Sequence, residues 1–201
     1  MTLHRSSAFL AAADLIAVSA FGLLLPIFAL FLRDSIPGVT ILNIAVAQAV
    51  FLTAKAAFDL LFSIFVHAKN SHKRSWGAVA IGYLVMAAVP LGYAYAQNMG
   101  QIFLLQIVLG LGVGLAGATW HDLFMATGDA QHHGTVYKIY NTAVAFACAA
   151  AAILGGYLAF NFGYQTLLFI LSGLAACASL MTLVAAVFSP RATQQSLHGR
   201  R

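Results

Sequence analysis

The sequence predicts an all-α membrane protein, a bundle of six transmembrane helices. Of its 201 residues, 62% are hydrophobic and only 7% are charged, and none is a glutamate. Soluble domains carry roughly 25% charged residues, so this chain has too few polar side chains to cover a folded surface in water. Six apolar stretches each reach the roughly 20 residues that a helix needs to cross a hydrocarbon core. Too few residues are left over for a sizeable domain outside the membrane.

The predicted spans form a single domain over residues 1–201. They cover residues 8–32, 40–66, 76–97, 101–126, 136–160 and 164–188, and residues 189–201 form a short basic tail. The gaps between spans are short, so consecutive helices are expected to be antiparallel neighbours. Pro26 and Pro90 lie inside the first and third spans. Proline removes an intrahelical hydrogen bond, and each of these two can kink its helix.

Lys and Arg residues lie almost entirely on one side of this arrangement. Eight of them fall in the N-terminal tail, the second gap, the fourth gap and the C-terminal tail, against Arg33 alone on the other side. Cytoplasmic loops carry an excess of Lys and Arg. We therefore expect a multi-pass protein of the cytoplasmic membrane, embedded in the lipid bilayer with both termini in the cytoplasm. The basic residues are scattered over short gaps, which argues against nucleic-acid binding.

Charged residues inside the spans are the first candidates for a functional site, because each costs a few kcal/mol at the bilayer centre on insertion scales. Lys55 and Asp59 are four residues apart and share one face of the second helix. They either line a polar cavity with a substrate or coupling role, or form a structural ion pair with the Lys55 stem extended towards the interface. Asp14 either approaches the interface or joins this pair across the bundle.

Several uncharged and late-span residues are further candidates. Gln106 and Asn141 could hydrogen-bond a solute, although bonds between helices are the commoner use of such residues. His121 and Asp122 lie late in the fourth span, where they are either solvated at the interface or part of a proton relay. Aromatic residues near the span ends fit the aromatic belts of membrane interfaces. They include Trp76, Tyr83, Tyr93, Tyr95, Tyr157 and Tyr164.

Glycines are concentrated in the fourth and fifth spans. Gly110, Gly112 and Gly114 lie in the fourth, and the pair Gly155 and Gly156 lies in the fifth. Lipid offers no hydrophobic drive for helices to associate, so small residues that let backbones approach closely are typical of helix contacts. These glycines either pack helix against helix or allow one helix to slide or bend against another.

Three stretches carry a family pattern. The run Gln106-Ile-Val-Leu-Gly110-Leu-Gly112-Val-Gly114 fits arginine-x-x-x-glycine-x-glycine, with Gln106 in the arginine place. Leu154-Gly155-Gly156-Tyr157 is followed by Phe162-Gly163-Tyr164, a glycine pair and then a hairpin glycine. Ser63 to Arg74 fits a basic loop with His67 in place of an aspartate and Ser71 in place of a glycine. Together these stretches resemble one half of a major facilitator superfamily transporter.

That resemblance implies a half-sized secondary transporter of a small solute, because family members contain two six-helix halves with the substrate near the midplane. We expect a homodimer or a complex with a second half-transporter. His67, Lys73 and Arg74 would belong to a gating loop. Loss of the loop's acid favours the alternative, a non-transporting integral membrane protein that is a degenerate half acting as an assembly or interaction partner.

Enzymatic functions fit the sequence poorly. It contains no nucleophile elbow, no phosphate-binding glycine loop followed by lysine and no zinc-type cluster. His132 and His133 with Asp129 would need further ligands at fixed spacing to hold a metal. We therefore expect no catalytic site, no cofactor and no metal.

Overall fold

The computed structural model describes residues 5–67, 72–127 and 133–188, and these ranges are helical apart from short connections. A 3-10 turn at Leu25–Ile27 separates the first two helices and contains Pro26, as expected where proline interrupts the α-helical hydrogen bonds. Pro90, by contrast, lies within a helix that continues past it. The helices are α1 (Arg5–Leu24), α2 (Phe28–Ser35), α3 (Ile41–His67), α4 (His72–Tyr95), α5 (Met99–Thr127) and α6 (His133–Phe188).

Five helical segments of the described chain are long and apolar enough to cross a membrane, where the sequence predicts six. The predicted fifth and sixth spans both lie within α6, so they count as one segment. Inside α6 only Gly163 leaves helical geometry, at φ 80° and ψ 165°, a conformation that glycine alone adopts readily. The five segments are Ala8–Ser35, Ile41–Ile64, Ser75–Tyr95, Met99–Phe124 and Gly134–Val187.

Helices α1 and α4 run in the same direction and meet only through side chains in the described chain. Tyr83 of α4 contacts Asp14 of α1, and further along both helices the Tyr93 ring lies 6.2 Å from the ring of Phe31 in α2. Helix α5 runs in the opposite direction. Its residues Leu105 and Gly112 contact Gly92 and Gly82 of α4 in reverse order.

The two parts of α6 pack against different neighbours. Before Gly163 the segment follows α1 in parallel, with Tyr140 beside Asp14 and Cys148 beside Gly22. After Gly163 it runs antiparallel to α4, because Ser172 donates to the Ala87 carbonyl at 2.7 Å and Ser179 donates to the Ala80 carbonyl at 2.8 Å. At the turn itself, the Tyr164 hydroxyl donates to Asp34 at 2.8 Å.

The core lies between α1, α4, α5 and α6, and α3 stands at its edge. Only 6% of the residues in the most apolar stretch of α3 are buried. In the other four candidate spans, 44–50% of the corresponding residues are buried. Helix α3 packs chiefly on α5 and runs parallel to it, with Ala54 beside Gly110 and Phe58 beside Gly114. More than half of residues 41–64 are exposed in the described chain.

Candidate functional site

Glycines of α5 bring α3 into close backbone contact near the middle of both helices. A Cβ atom on Gly110 would lie 2.7 Å from the Ala54 Cβ atom and from the backbone nitrogen of Lys55. On Gly114 it would lie 2.8 Å from the Asp59 backbone nitrogen. Only glycine leaves room for this approach, which fits the predicted packing role of both residues.

A cavity lined in part by charged side chains opens beside these glycine contacts. At Gly117, the nearest atom to an added Cβ atom would be a carboxylate oxygen of Asp59, at 3.9 Å. The backbones of α3 and α5 are therefore further apart at Gly117 than at Gly110 and Gly114. The cavity has a volume of about 350 Å³. Its lining includes Lys55, Asp59, Ser63, Val113, Gly117, Ala118, His121 and Asp122. We call this space the α3–α5 cleft.

Lys55 and Asp59 occupy the part of the cleft that lies deepest in the candidate span. Lys55 is near the middle of α3, about 21 Å from its first residue at the α-helical rise. Asp59 is half-buried, and Lys55 is exposed. Among the described residues no ion pair joins the two side chains. The structure thus brings both predicted residues into one cavity, together with His121 and Asp122.

Asp14 lies in a different place, on α1. It does not line the cleft, and it is partly buried between α4 and α6. One carboxylate oxygen accepts a hydrogen bond from the Tyr83 hydroxyl at 2.5 Å, and the other accepts one from the Tyr140 hydroxyl. Three helices therefore meet at this carboxylate, which we call the Asp14 cluster.

Gln106 and Asn141 do not line the cleft. Gln106 is 2% exposed, and its side-chain oxygen accepts a hydrogen bond from the Tyr93 hydroxyl at 3.2 Å. This contact ties α4 to α5, the commoner use of a polar side chain in a bundle. Asn141 is exposed on α6, in a shallow groove with Thr142 and Phe146. A role for either residue in solute binding stays a prediction.

The remaining predicted positions divide by their surroundings. Gly112 packs against α4, where an added Cβ atom would lie 3.0 Å from the Gly82 carbonyl oxygen. Gly155 is in backbone contact with Leu23 of α1. A Cβ atom added at Gly156 would have no atom of another part of the described chain within 4 Å, so Gly156 makes no close contact with a neighbouring helix. The side chains of the predicted gating residues His67, Lys73 and Arg74 lie outside the described residues.

Sequence reasoning missed the two tyrosines that bind Asp14. Tyr83 was expected in an aromatic belt, but its side chain is 1% exposed and points into the bundle. Trp76 and Tyr93 are buried as well, whereas Tyr95 and Tyr157 are exposed. The available signal was Asp14 itself, because a carboxylate within an apolar span requires hydrogen-bond donors from neighbouring helices.

Comparison with known proteins adds a distant relative. No family model matches the chain. Over 143 residues it is 22% identical to a protein named proton-coupled antiporter flippase LtaA, from Staphylococcus haemolyticus (strain JCSC1435). The match covers 71% of the chain and 35% of that relative, so the chain spans about a third of the relative's length. With five apolar helices long enough to cross a bilayer, this similarity supports a multi-pass membrane protein compatible with a transporter.

Proposed function

We propose that the chain is a secondary transporter of a small solute, and that the α3–α5 cleft is its solute or coupling site. The observation that carries this proposal is the position of Lys55 and Asp59 in one cavity near the middle of a candidate span. Charged groups at that depth are costly and usually face water or a bound solute. The sequence has no nucleotide-binding loop, so an ion or solute gradient would drive transport.

We further propose that the chain crosses the membrane six times, as one half of a carrier similar to the major facilitator superfamily. The contacts of α6 support six passes. Its first part runs parallel to α1 and its second part runs antiparallel to α4, while α1 and α4 run in the same direction. The chain would therefore turn back at Gly163, the single non-helical residue in α6.

A second half would cover α3 and complete the carrier. More than half of residues 41–64 in α3 are exposed in the described chain, and the α3–α5 cleft lies along that helix. We propose a homodimer or a complex with a partner half-transporter. Native mass spectrometry in mild detergent should give a dimer or a heteromeric complex. A monomer that still transports after reconstitution would contradict this part of the proposal.

The proposed orientation places both termini in the cytoplasm, in the cytoplasmic membrane. It follows from the excess of Lys and Arg on one side of the predicted spans. Cysteines introduced singly as Asn70→Cys and Met99→Cys, in a background with Cys148→Ala and Cys177→Ala, should react with a membrane-impermeant maleimide from opposite sides of the membrane. Labelling of both from the same side would refute the topology.

Transport is tested in proteoliposomes with Lys55→Ala and Asp59→Ala, each as a separate variant. Lys138→Ala is the matched control, because Lys138 is exposed on α6 and does not line the cleft. Uptake and efflux of labelled amino acids, sugars and organic cations are measured under an imposed ion gradient. The proposal predicts flux for the parent and control proteins and its loss in the two cleft variants, with insertion retained.

A non-transporting role is the second candidate. His67 and Ser71 replace the acid and the glycine of the family loop, which favours a degenerate half acting as an assembly or interaction partner. Absence of flux for every solute class, with the protein folded and inserted, would support this role over transport. We propose no catalytic activity for either case.

A further inference from the structure

The Asp14 cluster has an unusual composition for a carboxylate inside a membrane bundle. Asp14 receives hydrogen bonds from Tyr83 of α4 and Tyr140 of α6, and Cys148 of α6 is the other titratable group facing it. Within the described residues, no Lys, Arg or His forms an ion pair with it. The side chain thus accepts hydrogen bonds from two neutral donors, and no cationic partner among the described residues favours its ionised form.

A proton on this carboxyl group would change its hydrogen bonds. The ionised group only accepts, and each tyrosine hydroxyl donates to a different oxygen. Once protonated, one oxygen becomes a donor, and bonds to a charged acceptor are replaced by neutral bonds of roughly half the strength. Tyr83 is fully enclosed in the core, whereas Tyr140 is only half-buried. The contact with Tyr140 is therefore the one that is free to loosen.

The α1–α6 contact is built differently at its two ends. Around Gly155 and Leu23 the two backbones touch directly, and a Cβ atom on Gly22 would lie 3.3 Å from the Cys148 Cα atom. Tyr140 lies about 22 Å from Gly155 along the helix axis. At that end a side-chain hydrogen bond joins α6 to α1. We call the close contact of Gly22 and Gly155 between α1 and α6 the fixed point. The contact of Tyr140 with Asp14 is the one that can be released.

Tyr140 also connects α6 to α5. Its ring centroid is 5.0 Å from that of Trp120 and 5.6 Å from that of Phe124. Trp120 is 7% exposed, and its indole nitrogen has no hydrogen-bond partner among the described residues. Movement of Tyr140 would therefore alter the packing between α5 and α6 at the same end of the bundle.

We propose that the Asp14 cluster is a proton-binding site, separate from the α3–α5 cleft, and that a bound proton releases the end of α6 near Tyr140 from α1. This inference deepens the proposed function by naming the proton as an ion that the bundle binds. It rests on the membrane bundle of that proposal, but its test needs no solute and no flux. A protein that transports nothing could still bind the proton, so the two proposals fail separately.

Proton binding is measured by infrared difference spectroscopy of the full chain in phosphatidylcholine liposomes, titrated across neutral pH. A carboxyl band that appears on acidification should be lost in Asp14→Asn and retained in Asp59→Asn, the control in the cleft. The chain has four other aspartates, so the parent and Asp14→Asn spectra are compared band by band. Identical titrating carboxyl bands in these two proteins would overturn the proposal, as would the absence of any titrating band in the parent protein.

Two tyrosine variants keep the test decisive if Asp14→Asn does not fold. Tyr83→Phe and Tyr140→Phe each leave the carboxyl group in place and remove one donor to its ionised form. Loss of such a donor favours the protonated form, so the midpoint of the band should move to higher pH by about one unit. An unchanged midpoint in both variants would refute the role assigned to the cluster.

Release of α6 is measured by spin-label distances between Phe9→Cys on α1 and Lys138→Cys on α6, both at exposed positions. The background carries Cys148→Ala and Cys177→Ala. We expect the distance to lengthen and its distribution to broaden on acidification in the parent background. With Tyr140→Phe added, it should be long at every pH.

A second pair of labels provides the control beyond the fixed point. Leu25→Cys and Phe160→Cys are exposed positions on the far side of the Gly155 contact. Their separation should stay constant over the same pH range. Equal lengthening at both pairs would indicate general loosening of the bundle and would contradict release at the Asp14–Tyr140 contact. A constant distance at the first pair would contradict it as well.

Discussion

Replacing Gly114 with alanine tests whether backbone contact holds α3 on the bundle. The added Cβ atom would lie 2.8 Å from the Asp59 backbone nitrogen, roughly 0.6 Å inside the distance at which ordinary van der Waals contact begins. The obstructing atoms are backbone atoms of Asp59 and Lys55 and the Cβ atom of Phe58, so a side-chain rotation does not relieve the overlap. The two helices must separate along a contact that is the chief attachment of α3.

The cost of that separation is worked from two opposing terms. Overpacking of a well-packed contact costs about 1–3 kcal/mol, whereas glycine to alanine within a helix gains up to about 1 kcal/mol from propensity. Gly156→Ala receives the same propensity gain with no atom within 4 Å of the added carbon. Gly114→Ala should therefore be less stable than Gly156→Ala by about 1–3 kcal/mol.

Equilibrium unfolding by steric trapping in bicelles measures this difference directly. The comparison between two glycine-to-alanine variants cancels the helix-propensity term, so the remainder reports the contact with α3. A Gly114→Ala protein within about 0.5 kcal/mol of Gly156→Ala would refute the reasoning, since independent surface substitutions already vary by that amount.

Three further outcomes are expected. Gly163→Ala should lower the free energy of unfolding by about 1–3 kcal/mol because its backbone is in a region that side chains disfavour; stability equal to that of Gly173→Ala would contradict this. Ser179→Ala removes a hydrogen bond to the Ala80 carbonyl and should cost about 0.6 kcal/mol in the same assay, and a loss above about 2 kcal/mol would show a different role. Lys55→Leu should make insertion of the isolated α3 segment more favourable by about 3 kcal/mol in a translocon assay, and unchanged insertion would show that Lys55 does not occupy the membrane interior.

Three of the predicted spans coincide with helices of the structure. Spans predicted at residues 40–66, 76–97 and 101–126 match α3, α4 and α5 within a few residues at each end. This works because the length of an apolar run and the charges at its ends are local properties of the chain. The chain turn after the fifth span was harder to assign. It contains one non-helical residue, Gly163, and the structure counts α6 as a single segment.

Part of the candidate site was also visible in the sequence. Lys55 and Asp59 are four residues apart on one helix, so a shared face follows from helix geometry. The facing residues His121 and Asp122 come from α5, and only helix packing places them in the same cavity. The glycine spacing in α5 predicted a close contact, and the structure supplied the partner, α3.

The sequence alone determined that this protein lies in a lipid bilayer, where its helices fall along the chain and which charges lie within them. Tertiary structure decided which helices touch and which face of each is turned inward. The helices are apolar on nearly every side, so hydrophobic periodicity does not encode their rotation. The hydrogen bonds from Tyr83 and Tyr140 to Asp14 therefore emerged only when α1, α4 and α6 were packed together.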